Sequence, residues 1–284
     1  MIARHALPVL CRTAQTFRRN NGTHPRLIHF CRDMDPVATA LKTPPAGLAA
    51  GTSLLLDFDG TLVEIAERPD AVVVDSRLRA LIARLAEALA GRVAIVTGRA
   101  AADVRTLFGD IPIAIAGSHG VEFCWPDGRQ ETPERLAALD HALASLVDLR
   151  VRHPGLLVED KPFGVALHYR QAPEAEAEAR ALTAELAQSC GLELQPGKMV
   201  FELRAPGGGK GAALRLLLAD GAMTDTLPVF LGDDITDESA FAAARDLGGF
   251  GILVGPPRAT AALYGLPGVA AALDWLEAAC GDTE

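Results

Sequence analysis

Asp57 and Asp59 stand one residue apart in Leu54-Leu55-Leu56-Asp57-Phe58-Asp59-Gly60-Thr61-Leu62. Two carboxylates this close repel unless a cation lies between them or one takes a proton. Mg2+, a hard ion that prefers carboxylate and carbonyl oxygens, resolves that conflict. More acids stand far along the chain, in Gly232-Asp233-Asp234-Ile235-Thr236-Asp237-Glu238. If Asp57, Asp59, Asp233, Asp234 and Asp237 meet, they repel one another strongly without a cation. Two other stretches could serve an anionic ligand. Thr97-Gly98-Arg99 opens a predicted helix, and a helix N-terminus favours anions. Pro206-Gly207-Gly208-Gly209-Lys210-Gly211 puts a lysine in a glycine-rich turn, but Gly rather than Ser or Thr follows Lys210, so the nucleotide P-loop pattern fails.

The elements that must position these residues are strands whose carboxyl ends meet at one edge. Leu54 to Leu56 is an unbroken apolar run, as expected of a strand buried on both faces in a parallel sheet. Ligands of such sheets bind at the strands' carboxyl ends, which is where Asp57 falls, and Gly60 lets the chain turn sharply there. A loop from Val63 to Val74 containing Pro69 leads to a helix with Asp75 or Ser76 as N-cap, apolar residues Leu78, Leu81, Ile82, Leu85 and Leu89, and Gly91 at its C′ position. A second strand, Val93 to Val96, ends at Thr97 and completes a βαβ unit, which places Thr97 at the same edge as Asp57. A helix from Ala101 to Phe108 and a strand from Ile113 to Ala116 follow. That strand runs into Gly117-Ser118-His119-Gly120, where His119 reads either as a substrate contact or as a structural histidine between glycines. In the second half, a helix from about Ala212 to Leu218, strands Val229–Leu231 and Gly251–Gly255, and a helix from Val269 to Ala279 complete the same architecture.

Between about Val121 and Ala205 the pattern changes to helices at about Pro133–Arg150 and Glu174–Cys190 and strands at Leu156–Lys161, Gly164–Arg170, Leu192–Gln195 and Met199–Arg204. This predicts an inserted α+β layer pair. Charged residues alternate along its strands: Glu159 with Lys161, His168 with Arg170, and Lys198 and Glu202 about the last hairpin. By pattern alone such residues read as a solvated face with cross-strand ion pairs.

Asp57-Phe58-Asp59-Gly60-Thr61 resembles the first motif, D-x-D-x-T, of the haloacid-dehalogenase-like phosphatases. Thr97, Lys210 and Gly232-Asp233-Asp234-Ile235-Thr236-Asp237-Glu238 resemble the second, third and fourth. Val158-Glu159-Asp160-Lys161, Ala166-Leu167-His168-Tyr169-Arg170-Gln171-Ala172-Pro173 and Gly197-Lys198-Met199-Val200-Phe201-Glu202-Leu203-Arg204 resemble cap segments of the trehalose-6-phosphate phosphatases. The resemblance covers about residues 52–280. It implies an α/β fold: a Rossmann-like parallel-sheet core, residues 51–120 and 206–284, with an inserted α+β cap of the αββ(αβ)αββ type, residues 121–205.

It also implies a Mg2+-dependent hydrolase of trehalose 6-phosphate that works through an aspartyl-phosphate. Asp57 would be the nucleophile and Asp59 the general acid and base. Thr97 would hold the phosphoryl group, and Lys210 would neutralise its charge. Mg2+ would be held by the carboxylates of Asp57 and Asp233 and the main-chain carbonyl of Asp59, with Asp234 and Asp237 supporting through water or by orienting other groups. Gly98, Arg99, His119, Glu159, Lys161, Lys198 and Glu202 would bind substrate, and a trehalose-phosphate synthase would be the functional partner. Another sugar phosphate, such as sucrose phosphate, and a sensor without chemistry are the alternatives.

Composition sets the outer bounds. The 284 residues are 49% hydrophobic and carry a net charge of −9, which argues against a nucleic-acid footprint. No apolar run reaches the roughly 18 residues that a membrane span needs. The five cysteines (Cys11, Cys31, Cys124, Cys190, Cys280) are scattered and unpatterned, as expected of reduced thiols in a cytoplasmic protein. Residues 1–33 hold six arginines and one acid, Asp33, so they carry +5 and residues 34–284 carry −14. Such a segment reads as an organelle-targeting peptide or as an extension from a start upstream of Met34; the Ala-, Arg- and Gly-rich composition of a GC-rich gene favours the second. Residues 1–50 are thus expected to form a disordered leader.

Overall fold

The computed structural model describes residues 41–66 and 72–281. In chain order the first elements are β1 (Thr52–Leu56), α1 (Ser76–Ala88), β2 (Val93–Val96), α2 (Ala101–Phe108), β3 (Ala114–Gly117), β4 (Glu122–Cys124) and β5 (Gln130–Glu131). Then come α3 (Ala137–Arg152), β6 (Leu157–Lys161), β7 (Gly164–His168), α4 (Glu176–Cys190), β8 (Glu193–Gly197) and β9 (Val200–Arg204). The last group is α5 (Lys210–Leu218), β10 (Leu227–Gly232), α6 (Glu238–Asp246), β11 (Phe250–Val254), β12 (Tyr264–Leu266) and α7 (Val269–Gly281).

Eight strands form one sheet in the order β12-β11-β10-β1-β2-β3-β4-β5. It is parallel from β12 to β3 and antiparallel at β4 and β5. β1 has all five residues buried, because the sheet is covered on both faces. Leu54 and Leu56 pack with α1, α2 and α7, while Leu55 packs on the other face with α5 and α6. At about 1.5–3 kcal/mol for each fully buried leucine, this run anchors the strand that carries Asp57. The chain leaves β1 toward β2 on one side and returns to β10 on the other, so the order reverses at β1, the place where such folds bind ligands.

The second sheet is antiparallel, in the order β6-β7-β9-β8. Helices α3 and α4 cover one face, meeting Val165, Leu167, Phe201 and Leu203. The strand period of two puts Glu159, Lys161, Gly164, Ala166, Glu202 and Arg204 on the opposite face.

Several expectations shift. The boundary at 121 falls inside the core, because β4 pairs with β3 (Ile115 opposite Cys124) and Phe123 and Trp125 stack at 5.7 Å in its apolar cluster. The helix expected from Pro133 begins at Ala137, and Arg135 in the preceding segment instead pairs with Asp160 at 2.7 Å and with the Lys161 carbonyl. Asp75 is the N-cap of α1, accepting from the Leu78 N–H at 2.8 Å. The first left-handed residue after that helix is Ala90 (φ 51°), with Gly91 (φ 80°) next.

Residues 1–40 of the expected leader, and 67–71 of the loop before α1, lie outside the described residues. The end of the expected leader is part of the core. The Lys42 carbonyl accepts from the Gly265 N–H at 3.0 Å, and the Pro45 carbonyl accepts from Trp275 Nε1 at 2.7 Å. No helix among the described residues is long and apolar enough to cross a membrane.

Candidate active site

Asp57 continues the β1 ladder, its N–H donating to the Leu231 carbonyl at 2.9 Å. Phe58 turns inward, fully buried and edge-on to Phe108 at 5.9 Å, so Asp57 and Asp59 are left at the sheet's rim. The chain then folds back on itself, with Leu62 N–H to the Phe58 carbonyl at 2.9 Å and Gly60 N–H to the Val63 carbonyl at 2.8 Å. Gly60 is required twice over. Its φ is +81°, and a Cβ there would lie 2.1 Å from Asp233 Oδ2.

Asp233 follows β10, the neighbour of β1, and the two strand ends bring their acids together. Carboxylate oxygens of Asp57, Asp233 and Asp237 all lie within 4.8 Å of one another. Lys210, the first residue of α5, reaches in from the other face of the sheet. Its Nζ donates to Asp57 Oδ1 at 2.5 Å and to Asp237 Oδ1 at 2.7 Å. Asp237 Oδ2 accepts from the Asp234 N–H at 2.9 Å, while the exposed Asp234 caps the 3-10 turn Ile235–Asp237 in return. Thr61 Oγ1 donates to Asp57 Oδ2 at 3.3 Å. Both oxygens of Asp237 are thus taken by protein donors, which makes it the residue that orients Lys210.

Burial raises the pKa of Asp57 to about 6 against the pull of Lys210. Burial, then the charge of Asp237, raises Asp233 to about 6, and burial, then the charge of Asp57, raises Asp237 to about 6. Burial works against the Lys210 ammonium, but Asp57 and Asp237 outweigh it and hold its pKa above the ordinary value. One ammonium faces three carboxylates, so the cluster is short of positive charge, and its all-oxygen donor set fits a hard divalent cation.

The Asp59 carboxylate is not among these clustered oxygens. Arg99 grips it with two hydrogen bonds, Nε to Oδ2 at 2.7 Å and Nη2 to Oδ1 at 2.8 Å, while its guanidinium stacks 5.4 Å above the Phe58 ring. Thr97 is buried beside β1, its Oγ1 accepting from the Arg99 N–H at 3.1 Å. The next loop joins this motif to the lysine loop. His119 N–H donates to the Thr97 carbonyl at 2.8 Å, and the His119 carbonyl accepts from the Gly209 N–H at 2.7 Å. Ser118 and His119 hold left-handed φ values of 49° and 58°, a strain of the kind found at functional sites. A Cβ at Gly98 would lie 2.7 Å from the His119 ring, so Gly98 makes room for the imidazole. Burial, followed by the charges of Arg204, Lys210 and Lys161, lowers the His119 pKa to about 3, so the ring is neutral at ordinary pH.

The open face of the cap looks onto this edge. A cavity of about 340 Å³ lies between Gly98, Ser118 and His119 of the core and Glu159, Lys161, Glu202 and Arg204 of the cap. A second, of about 280 Å³, lies between His119, Lys210 and Thr236 of the core and Glu193, Gln195 and Arg204 of the cap. Lys161 Nζ donates to Glu202 Oε1 at 3.1 Å and stands 4.0 Å from Glu159, which pairs with His168 at 3.0 Å. Lys198 is not brought in: it sits exposed at the β8–β9 turn and lines neither cavity.

Sequence reasoning passed over three contributors. Arg204 shares the strand parity of Glu202, which was signal enough to include it. Glu122 caps α2 through the Ala101 N–H at 3.0 Å and accepts from Ser118 Oγ at 2.7 Å. Arg258 bonds the Asp234 carbonyl at 2.8 Å and steadies the acidic loop. Neither of the last two lies in a recognisable motif.

The family model for trehalose-phosphatase matches residues 55–267. The chain is 38% identical over 218 residues to a "Probable trehalose-phosphate phosphatase" of Sinorhizobium fredii, covering 76% of this chain and 82% of the relative. It is 35% identical over 236 residues to the trehalose-6-phosphate phosphatase of Escherichia coli K12, covering 81% and 87%. In fold it is similar to the C-terminal domain of Candida albicans trehalose-6-phosphate phosphatase, with a TM-score of 0.66 at 21% identity, over 81% of this chain and 92% of that one. The haloacid-dehalogenase-like fold with its cap carries both the four core motifs and the inserted sheet, and the chain belongs to the trehalose-phosphatase family.

Proposed function

We propose that this protein is a Mg2+-dependent phosphatase that hydrolyses trehalose 6-phosphate to trehalose and phosphate. The observation that carries the reading is a buried, lysine-bound carboxylate, Asp57, whose partner Lys210 lines one core–cap cavity, next to a cap face of mixed acids and cations that lines the other. A phosphate ester would lie over Asp57, and a sugar's hydroxyls would meet Glu159, Lys161 and Glu202.

In this reading Asp57 attacks phosphorus in line and the phosphorus–sugar oxygen bond breaks. Asp59 passes its proton to the departing sugar oxygen, so its pairing with Arg99 opens when substrate is bound. Asp59 then takes a proton from water, which attacks the aspartyl-phosphate and frees Asp57. General acid catalysis of this type contributes about 10²–10⁴-fold. Lys210 neutralises charge on the phosphoryl oxygens, held in place by Asp237, and Thr97 supplies a hydroxyl to the same group. The carboxylates of Asp57 and Asp233 and the main-chain carbonyl of Asp59 are the proposed Mg2+ ligands, and Mg2+ when bound supplies further neutralisation of the phosphoryl charge. Asp234 shapes the turn on which Asp237 sits. Gly98 and His119 line the core side of the cleft, and Arg99, once released from Asp59, is the proposed further contact to substrate. A trehalose-phosphate synthase is the proposed source of substrate, in the cytoplasm.

Phosphate release from a panel of sugar phosphates, with Mg2+ and with a chelator, tests the reading. Trehalose 6-phosphate should be the best substrate by kcat/KM, and release should stop on chelation. Preference for sucrose phosphate would move the assignment to that substrate, and no release from any ester would leave the sensor alternative.

A further inference from the structure

Three cations share the two cavities that His119 lines: Lys161, Lys210 and Arg204. Two are already paired. Lys210 is bonded to Asp57 and Asp237 at 2.5 and 2.7 Å, and Lys161 to Glu202 at 3.1 Å. Arg204 is different: its guanidinium has no hydrogen bond or ion pair among the described residues. Its neighbour across the β8–β9 ladder, Glu193, is in register with it but accepts instead from the Gly207 N–H at 3.2 Å. On the other side stands Gly164, where a Cβ would lie 3.4 Å from Arg204 Cγ, so the missing side chain leaves the arginine stem its shelf. Arg204 is half-buried and, with His119, is shared by both cavities, one lined by Glu159 and Lys161 and the other by Lys210.

A guanidinium is a planar fork that fits two oxygens of a phosphate or carboxylate, and it is weakly hydrated enough to sit in a cleft for that purpose. The sugar-reading acids are occupied by Lys161 and His168. The ligand group lacking a cationic partner on the cap side is therefore the phosphate dianion. We propose that Arg204 binds the phosphoryl group of the substrate from the cap, opposite Lys210, so that the phosphate itself draws the cap onto the core. The proposal rests on the phosphatase reading of the same cleft. It has a consequence for turnover: once phosphate has left, uncharged trehalose offers Arg204 no anion to hold, and the cap is free to open.

The test uses the full chain with Mg2+, inorganic phosphate as the probe, and Arg204→Gln and Arg204→Lys. Phosphate should raise the melting temperature of the wild type, and Arg204→Gln should require about ten- to a hundredfold more phosphate for the same rise, the scale of one hydrogen bond to a charged group. The same factor should appear in kcat/KM for both p-nitrophenyl phosphate and trehalose 6-phosphate, since both carry the dianion. Arg204→Lys, a point charge without the fork, should recover part of it. The Arg204 guanidinium makes no bond among the described residues, so the melting temperature without phosphate should be unchanged. No phosphate-induced rise in the wild type, or a rise that survives Arg204→Gln, overturns the proposal. A kinetic loss confined to the disaccharide overturns it too, since Arg204 would then read the sugar. Failure of trehalose 6-phosphate as substrate, with the phosphate response intact and dependent on Arg204, would count against the substrate assignment alone.

Discussion

Asp237→Asn tests how the lysine is held. Asp237 is fully buried, and both groups that touch it are donors: Lys210 Nζ at 2.7 Å and the Asp234 N–H at 2.9 Å. An asparagine has the same outline but carries one oxygen and one NH2 group. Whichever way it is turned, its NH2 faces a donor, so one of the two bonds becomes a donor–donor contact. Loss of a hydrogen bond involving a charged group costs about 1.5–3 kcal/mol. At about 2–4 °C per kcal/mol for a chain somewhat smaller than this one, the melting temperature should fall by about 3–12 °C. Where the NH2 faces Lys210, the lysine rests on Asp57 alone, pinned to the proposed nucleophile; where it faces Asp234, the turn that carries residue 237 is loosened, and in either case Lys210 is no longer aligned for a phosphoryl oxygen, so kcat should fall by about 10-fold or more. Asp234→Asn is the internal control, because Asn caps a helical turn as well as Asp does, and its melting temperature should stay near that of the wild type. Thermal melts and steady-state kinetics of both variants decide the matter. An Asp237→Asn protein with unchanged melting temperature and unchanged kcat would refute the claim that Asp237 orients Lys210.

Gly60→Ala should cripple the acidic cluster, because a Cβ would sit 2.1 Å from Asp233 Oδ2 on a backbone with φ +81°; turnover and the thermal response to Mg2+ should be lost together, and retention of either would contradict the packing described. The Mg2+ response should depend on pH. Asp57, Asp233 and Asp237 have folded pKa values raised from 3.8 to about 6, so in the metal-free protein they contribute most below about pH 4, and that contribution is lost as pH rises through about 6. Mg2+ replaces the missing protons, so its melting-temperature increment should be larger at about pH 7.5 than at about pH 5, and equal increments would argue that Asp57 and Asp233 do not share a cation. On the cap, Glu159→Ala, Lys161→Ala and Glu202→Ala should each lower kcat/KM for trehalose 6-phosphate by about ten- to a hundredfold and leave p-nitrophenyl phosphate nearly unchanged. Lys198→Ala, outside both cavities, should change neither, and equal losses on both substrates would mean that the three charged residues hold the cap together instead of reading the sugar.

The sequence by itself determined which strands end in chemistry. Leu54 to Leu56 before Asp57, Val93 to Val96 before Thr97 and Val229 to Leu231 before Asp233 each state a buried strand and the residue at its end within one short stretch. Burial on both faces demands continuous apolar residues, and that demand is local. The parity of Glu159 with Lys161 is local in the same way, because a strand alternates its faces.

What the sequence left open were the partnerships. Nothing near Arg99 says that its guanidinium closes on Asp59, 40 residues away, or that Lys210 divides itself between Asp57 and Asp237. The cap boundary was misplaced for a related reason. β4 and β5 are short, and whether such pieces join the core sheet or the inserted one depends on which edge is free to pair with them. Arg204 is the clearest case. Its charge and its face could be read from the strand, but its guanidinium's lack of a partner among the described residues depends on Glu193 having turned to Gly207, and hydrogen bonds between distant segments exist only once the chain has been folded around them.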